Sequence, residues 1–210
     1  MKAVIFDLDG TLWDSARQIV AGWNETFAAN GIERRIDEPE IKGLMGKPME
    51  AIMEALVPGL SQKFRNRLLS ECCGREEELL REKGGILFEG LRGVLETLKG
   101  KGYHLSIVSN CQAGYIETFL EHHNMWDLFD DRECPGNSGL LKADNIGLVI
   151  RRNGISSAVY VGDTQGDCDA CRQAGVPFIY AEYGFGDVDD HSHVISSLLE
   201  LPDVVDSVLA

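Results

Sequence analysis

The chain has no unbroken apolar run near the roughly 20 residues needed to cross a bilayer, although 44% of its 210 residues are hydrophobic. A membrane-spanning role is therefore excluded. Positive charge is also scarce, with 20 Lys and Arg against 34 Asp and Glu, a formal net charge of -14 and a pI near 4.7. Nucleic acid is a poor partner for such a surface, because the phosphate backbone rewards basic proteins. No basic segment backed by an apolar stretch precedes the first β-prone run, which starts at Lys2, so no leader is expected and the protein reads as cytoplasmic. Internal repeats, low-complexity tracts and Ser/Pro-rich linkers are missing as well. The five histidines, His104, His122, His123, His191 and His193, fall at places that give them no chemical role.

The cysteines number six, at 72, 73, 111, 134, 168 and 171. A chain of this length buries a core without disulfides, so they read as free thiols. Cys168-Asp169-Ala170-Cys171 has the spacing of a redox or zinc motif but lies inside a helical pattern and lacks a second Cys/His pair. Cys111 stands next to a candidate site segment and would react with oxidants if its thiolate were favoured there.

β-Prone apolar runs ending in polar residues cover Ala3 to Phe6, His104 to Val108, Ala158 to Val161 and Phe178 to Ala181, with a fainter one over Leu128 to Cys134. Helical patterns lie between them at Leu91 to Lys99, Ala143 to Arg152 and Asp167 to Ala174, with Gly102, Gly154 and Gly175 as stop signals. This alternation predicts an α/β fold: a Rossmann-like, doubly wound parallel sheet covered by helices, with its site at the carboxyl ends of the strands. Ile195 to Leu209, apolar around Pro202, predicts a final short helix.

Residues from about 15 to 85 break the rhythm and show only amphipathic helix patterns. Ile19, Trp23 and Phe27 recur every four residues and form one apolar stripe that ends at Asn30-Gly31. Asp37 to Glu40 resembles a capping box, Gly46-Lys47-Pro48 opens a helix carrying Met49, Ile52, Met53 and Leu56, and Ser61 caps a last one that Gly74 is expected to bend. The expected division is a core of 1–14 and 86–210 with an inserted helical cap of 15–85.

Four segments carry chemistry. Asp7-Leu8-Asp9-Gly10-Thr11 places two carboxylates at the end of the first strand, on one side of it, as a nucleophile and a proton donor for one substrate require. Such a pattern arises by chance in roughly one chain in several hundred of this length, so other segments must agree with it. Ile107-Val108-Ser109-Asn110 delivers a hydroxyl and an amide suited to phosphoryl oxygens. Lys142, after the loop that starts at Gly136, offers an ammonium that can balance charge on a nucleophile and a transferring group. Tyr160 to Asp167 ends a strand at Gly162 and sets Asp163 and Asp167 around a turn into a helix, a strong metal-site signal. An acidic protein acting on a small anion needs a local cation, which points to a divalent metal. Mg2+ fits, since it takes one or two carboxylates, waters and substrate oxygens; Asp7, Asp163 and the backbone carbonyl of Asp9 can supply them.

Taken together and in this order, these segments resemble the four motifs of the haloacid dehalogenase superfamily, and the helical stretch after the first resembles the cap of its phosphoglycolate phosphatase and β-phosphoglucomutase branch. The branch likeness rests on Asp9-Gly10-Thr11-Leu12 with Asp14-Ser15, and on Gly162-Asp163-Thr164 with Asp167. The resemblance implies a Mg2+-dependent phosphatase in which Asp7 takes the phosphoryl group as an aspartyl-phosphate. Asp9 would protonate the leaving alkoxide and then deprotonate the attacking water. Thr11, Ser109 and Asn110 would bind phosphoryl oxygens, Lys142 would balance charge, Asp163 would hold Mg2+, and Asp167 would assist from a nearer or farther shell while steadying Lys142. Ala143 stands where relatives usually carry proline, and Gly162 where mutase relatives carry a second acid, which favours hydrolysis. Tyr183 to Gly186 resembles a loop common among the hydrolases.

A lid that excludes water during one transfer and admits it for the next would hinge near Trp13 to Ala16 and Gly84 to Leu87. Gly43 to Pro48 is the expected specificity segment, with Lys47 meeting a second anionic group. The expected partner is a small phosphorylated metabolite, phosphoglycolate-like or a sugar phosphate, bound by a monomer. The alternatives are a β-phosphoglucomutase-type phosphosugar mutase and a non-catalytic phosphate-binding regulatory protein.

Overall fold

A computed structural model describes residues 1–210. In chain order its elements are β1 (Lys2–Phe6), β2 (Trp13–Asp14), α1 (Ala16–Ala29), α2 (Glu38–Lys42), α3 (Met49–Leu56), α4 (Gln62–Lys83), β3 (Ile86–Leu87), α5 (Leu91–Gly100), β4 (His104–Val108) and α6 (Tyr115–His122). There follow β5 (Asp131–Glu133), α7 (Pro135–Ser138), α8 (Lys142–Arg152), β6 (Ser157–Gly162), α9 (Gln165–Ala174), β7 (Phe178–Ala181), β8 (His193–Ile195), a 3-10 turn (Leu198–Glu200) and α10 (Leu201–Val208).

Six strands form one parallel sheet in the order β5-β4-β1-β6-β7-β8. The chain runs outward from β1 through β4 to β5, then returns to the other flank of β1 at β6. This reversal opens a crevice at the carboxyl end of β1, where open α/β sheets bind their ligands. Register makes the placement definite: Phe6 lies beside Ile107 of β4 and Val161 of β6, and the Asp7 amide adds one more ladder bond to the Val161 carbonyl at 2.8 Å. Strands buried on both faces read as continuous apolar runs, and Ala3, Val4, Ile5 and Phe6 are all fully buried.

The sequence locates five of these strands, with the faint one shortened to Asp131–Glu133. It misses β8, whose three residues carry only Val194 and Ile195 as an apolar signal. The expected terminal helix starts later in consequence, at Leu201, and Pro202 sits harmlessly in its first turn. The Cys168 and Cys171 thiols join no metal-competent cluster, and none of the six cysteines is paired.

Between β2 and β3 the chain forms α1 to α4, chiefly a pairing of α1 with α4. β2 and β3 pair antiparallel, Trp13 with Leu87 and Asp14 with Ile86, so a short ribbon joins the two chain crossings. The expected bend at Gly74 is absent: α4 is one continuous helix of 22 residues, because the long apolar contact with α1 offsets the roughly 1 kcal/mol that glycine costs a helix. Ile19, Trp23 and Phe27 are buried along that contact, as their spacing requires. Gly22 lets the helices approach closely, since a β-carbon there would lie 3.0 Å from the Glu76 backbone nitrogen. Gly22→Leu should therefore force α1 and α4 apart and destabilise the protein by about 1–3 kcal/mol, read as a lowered thermal midpoint; an unchanged midpoint would show that the contact yields freely.

Candidate active site

The expected residues from all four motifs meet at the carboxyl ends of β1, β4 and β6. Asp7 is the first residue after β1 and Asp163 the first after β6, and both are buried. Between them runs the turn at Gly10, whose φ is +80°. That conformation suits glycine, and space requires it too, because a β-carbon would lie 2.1 Å from Asp163 Oδ2. Thr11 donates its hydroxyl to Asp163 Oδ1 at 3.2 Å, and the Phe185 amide donates to Oδ2 at 2.8 Å. The side chain of Thr11 is thus engaged with an acid. The Tyr183–Gly186 loop takes part directly, since Tyr183 also donates its hydroxyl to the Thr11 carbonyl at 2.9 Å.

Lys142 opens α8, where the helix dipole disfavours a cation. Two carboxylates outweigh that effect: its ammonium donates to Asp7 Oδ1 at 2.9 Å and to Asp167 Oδ1 at 2.5 Å, with all three groups buried. Burial alone would push its pKa down, but the charges of Asp167 and Asp7 hold it well above the ordinary value. Ala143 in place of proline therefore leaves the ammonium fully fixed. Asp167 is committed on both oxygens, because Oδ2 accepts from the Thr164 amide at 3.0 Å and its hydroxyl at 2.7 Å, closing a capping box on α9.

Three carboxylates, Asp7, Asp163 and Asp167, offer oxygens within 4.8 Å of one another. One ammonium cannot neutralise three acids. The surplus shows in the ionisation of Asp7 and Asp163: burial, then the Asp167 charge, raises the Asp7 pKa to about 7 against the pull of Lys142, and burial lifts Asp163 well above the carboxylate range. An oxygen-rich, over-charged buried cluster is what a hard divalent cation satisfies, so the donor set fits Mg2+.

The Asp9 carboxylate is outside that cluster. It turns toward the helical insertion, where Oδ1 accepts from Trp13 Nε1 at 2.9 Å, from the Tyr115 hydroxyl at 2.9 Å and from the Ser15 hydroxyl. Burial raises its pKa, and these bonds oppose the rise. Only its backbone carbonyl is left to serve as a metal ligand. Asp7 and Asp9 line a cavity together with Ser109, Asn110 and the exposed Lys47. Asn110 donates its amide to the Gly46 carbonyl at 2.9 Å, tying the end of β4 to the segment before α3. The same cavity includes Glu76, Gln112 and Tyr115, which sequence reasoning passed over. No motif marks them; Glu76 sits in a charged run of α4 that reads as solvent-facing. Cys111 also lines the cavity, but burial pushes its thiol pKa up, against the expectation of an oxidant-sensitive thiolate.

Residues 4–181 match the haloacid dehalogenase-like hydrolase family. The phosphoglycolate phosphatase of Xanthomonas campestris is 30% identical over 213 residues, covering 96% of this chain and 93% of that protein. The N-acetylmuramic acid 6-phosphate phosphatase of Pseudomonas putida is 25% identical, covering 100% and 98%. The crystal structure of CbbY from Rhodobacter sphaeroides in complex with phosphate superposes with a TM-score of 0.82 at 20% identity, over 97% of this chain and 98% of that one, which shows a shared fold.

Millimolar Mg2+ should raise the thermal midpoint, because a ligand that binds only the folded state stabilises it in proportion to RT ln(1 + [L]/Kd), about 1–2 kcal/mol at tenfold saturation. Asp163→Asn should abolish the Mg2+-dependent rise; an equal rise in both proteins would place the ion elsewhere.

Proposed function

The chain belongs to the haloacid dehalogenase-like hydrolase family, and we propose that it is a Mg2+-dependent phosphatase that hydrolyses a small phosphomonoester through an aspartyl-phosphate at Asp7. The observation that carries this reading is the Lys142 ammonium held between Asp7 and Asp167, which share one carboxylate cluster with Asp163, while Asp7 itself lines a cavity with Asp9. A binding protein would gain nothing from burying three acids around one cation at a strand end. A nucleophile poised for charge transfer needs that arrangement.

In the first step an Asp7 carboxylate oxygen forms a bond to phosphorus as the bond to the substrate's alcohol oxygen breaks, and Asp9 delivers its proton to that oxygen. In the second, Asp9 takes a proton from a water whose oxygen bonds to phosphorus, and the bond to Asp7 breaks, releasing phosphate. The upward push of burial on the Asp9 pKa favours the protonated acid that the first step needs. Its bonds to Trp13, Ser15 and Tyr115 fix it in one position on the cavity wall. Asp7, Asp163 and the Asp9 carbonyl would hold Mg2+, which when bound keeps Asp7 ionised and offsets charge on the phosphoryl oxygens. Asp167 is better suited to positioning Lys142 than to direct ligation, since both of its oxygens are already taken. Ser109, Asn110 and the backbone after Asp7 would receive phosphoryl oxygens, the Thr11 hydroxyl being committed to Asp163, and Lys47 would meet a further oxygen of the substrate.

The helical insertion of 15–85 would act as a cap on the core of 1–14 and 86–210, moving about the β2–β3 ribbon to admit water between the two steps. Hydrolysis is favoured over phosphoryl return to a sugar, because a β-carbon at position 162 would lie 2.8 Å from Asp167 Cβ, leaving no room for the second acid of the mutases. The relatives' names point to two kinds of substrate, a phosphorylated hydroxy acid and a sugar phosphate. We place the enzyme in the cytoplasm as a monomer, in keeping with its unpaired cysteines.

p-Nitrophenyl phosphate should be hydrolysed with Mg2+ present and not after EDTA treatment, and Asp7→Asn should lose at least a thousandfold in kcat. Full turnover by Asp7→Asn would remove the nucleophile assignment.

A further inference from the structure

Glu76 is a charged residue in the middle of a helix, yet it is 2% exposed and points into the cavity that holds Asp7 and Asp9. Carboxylates are almost never buried without partners. Its partners come from both sides of the cleft: Trp23 of α1 donates its indole N–H to Oε2, and Gln112, just past β4, donates its amide to Oε1 at 2.6 Å. No cation lies against it. Burial raises its pKa to about 8, more than the Trp23 and Gln112 bonds lower it. With each oxygen accepting one bond from the protein, the carboxyl still has a proton or a lone pair to offer, and no protein group takes it up.

The rest of the wall narrows what could. The insertion supplies apolar surface from Ile19, Trp23, Ile41, Met45, Met49 and Ile52. The ionisable groups of the wall besides Tyr115 and the buried Cys111 are Asp7, Asp9, Glu76 and Lys47. Lys47 is solvent-exposed, so its charge is screened by water, while the three acids are largely enclosed. A leaving group with its own carboxylate would enter a field already negative. A neutral alcohol with a hydroxyl would meet a partner that can donate to it or accept from it, inside apolar walls.

We propose that Glu76 is a specificity-determining residue: held between Trp23 and Gln112, its carboxyl bonds a hydroxyl on the alcohol portion of the substrate and selects phosphorylated polyols or sugars over phosphorylated hydroxy acids. This rests on the phosphatase reading above. Loss of a buried hydrogen-bond partner for a substrate hydroxyl lowers kcat/KM by tenfold or more, whereas a merely structural role for Glu76 lowers turnover of every substrate alike.

The test compares glycerol 3-phosphate, 2-phosphoglycolate and p-nitrophenyl phosphate in the Mg2+-loaded protein. The wild type should prefer glycerol 3-phosphate to 2-phosphoglycolate. In Glu76→Ala the ratio of kcat/KM for glycerol 3-phosphate to that for p-nitrophenyl phosphate should fall at least tenfold. Glu76→Gln keeps the side-chain volume and one carbonyl oxygen, so it reports even where alanine unfolds the insertion, and there the ratio should fall at least threefold. Preference of the wild type for 2-phosphoglycolate, or a ratio within twofold of wild type in the folded variants, overturns the inference and leaves the phosphatase reading intact. Failure of the wild type to hydrolyse p-nitrophenyl phosphate overturns both.

Discussion

One ammonium among three buried carboxylates sets the terms for the rest of this structure. Removing an ion pair from water costs several kcal/mol per ion, and the pair recovers it only with good geometry and full hydrogen bonding. Lys142 has both, bonding Asp7 at 2.9 Å and Asp167 at 2.5 Å. The cost that remains is the charge it cannot cancel. Asp163 lies within the same cluster, and its pKa, like that of Asp7, is pushed upward by burial first and by its acidic neighbours next. A core that stores unbalanced negative charge is poorly suited to stability alone. It is well suited to receive a divalent cation and a phosphoryl group.

The fold brings these groups together because of strand order rather than proximity in sequence. Asp7 and Lys142 are 135 positions apart, and they meet because β1 is central, β6 returns to its flank, and the crevice at the reversal collects every loop that leaves a carboxyl end. Each loop is then fixed locally: Gly10 by its left-handed turn, Asp167 by the cap of α9, and Asp163 by the Thr11 hydroxyl and the Phe185 amide. The helical insertion enters between Asp9 and the second motif, so its inner surface faces the same crevice.

Legibility in the sequence follows the strength of local signals. β1, β4, β6 and β7 announce themselves as apolar runs because a parallel sheet is buried on both faces, and the motif residues stand at their ends. The three-residue β8 and the two-residue β2 and β3 carry too few side chains to show a period, and their pairing is settled only by tertiary contact. Gly74 misled for a related reason: propensity argues for a bend, and packing of α4 on α1 overrides it. Asp9 was readable as a second acid, but not the turn of its carboxylate toward Trp13, Ser15 and Tyr115, since Tyr115 is 106 positions away. Glu76 was invisible among charged neighbours on α4, because only the approach of Trp23 and Gln112 turns an ordinary surface residue type into a buried one.

The central claim is that Asp7 itself carries the phosphoryl group during turnover. Borohydride reduces an aspartyl-phosphate to homoserine, so quenching the Mg2+-loaded enzyme during turnover of a phosphomonoester, reducing it and sequencing its peptides by mass spectrometry reads the site directly. Homoserine at position 7 and at no other aspartate is the expected result. Unmodified Asp7, with homoserine at Asp9 or Asp163, or with phosphate released at full rate and homoserine at no aspartate, would contradict it.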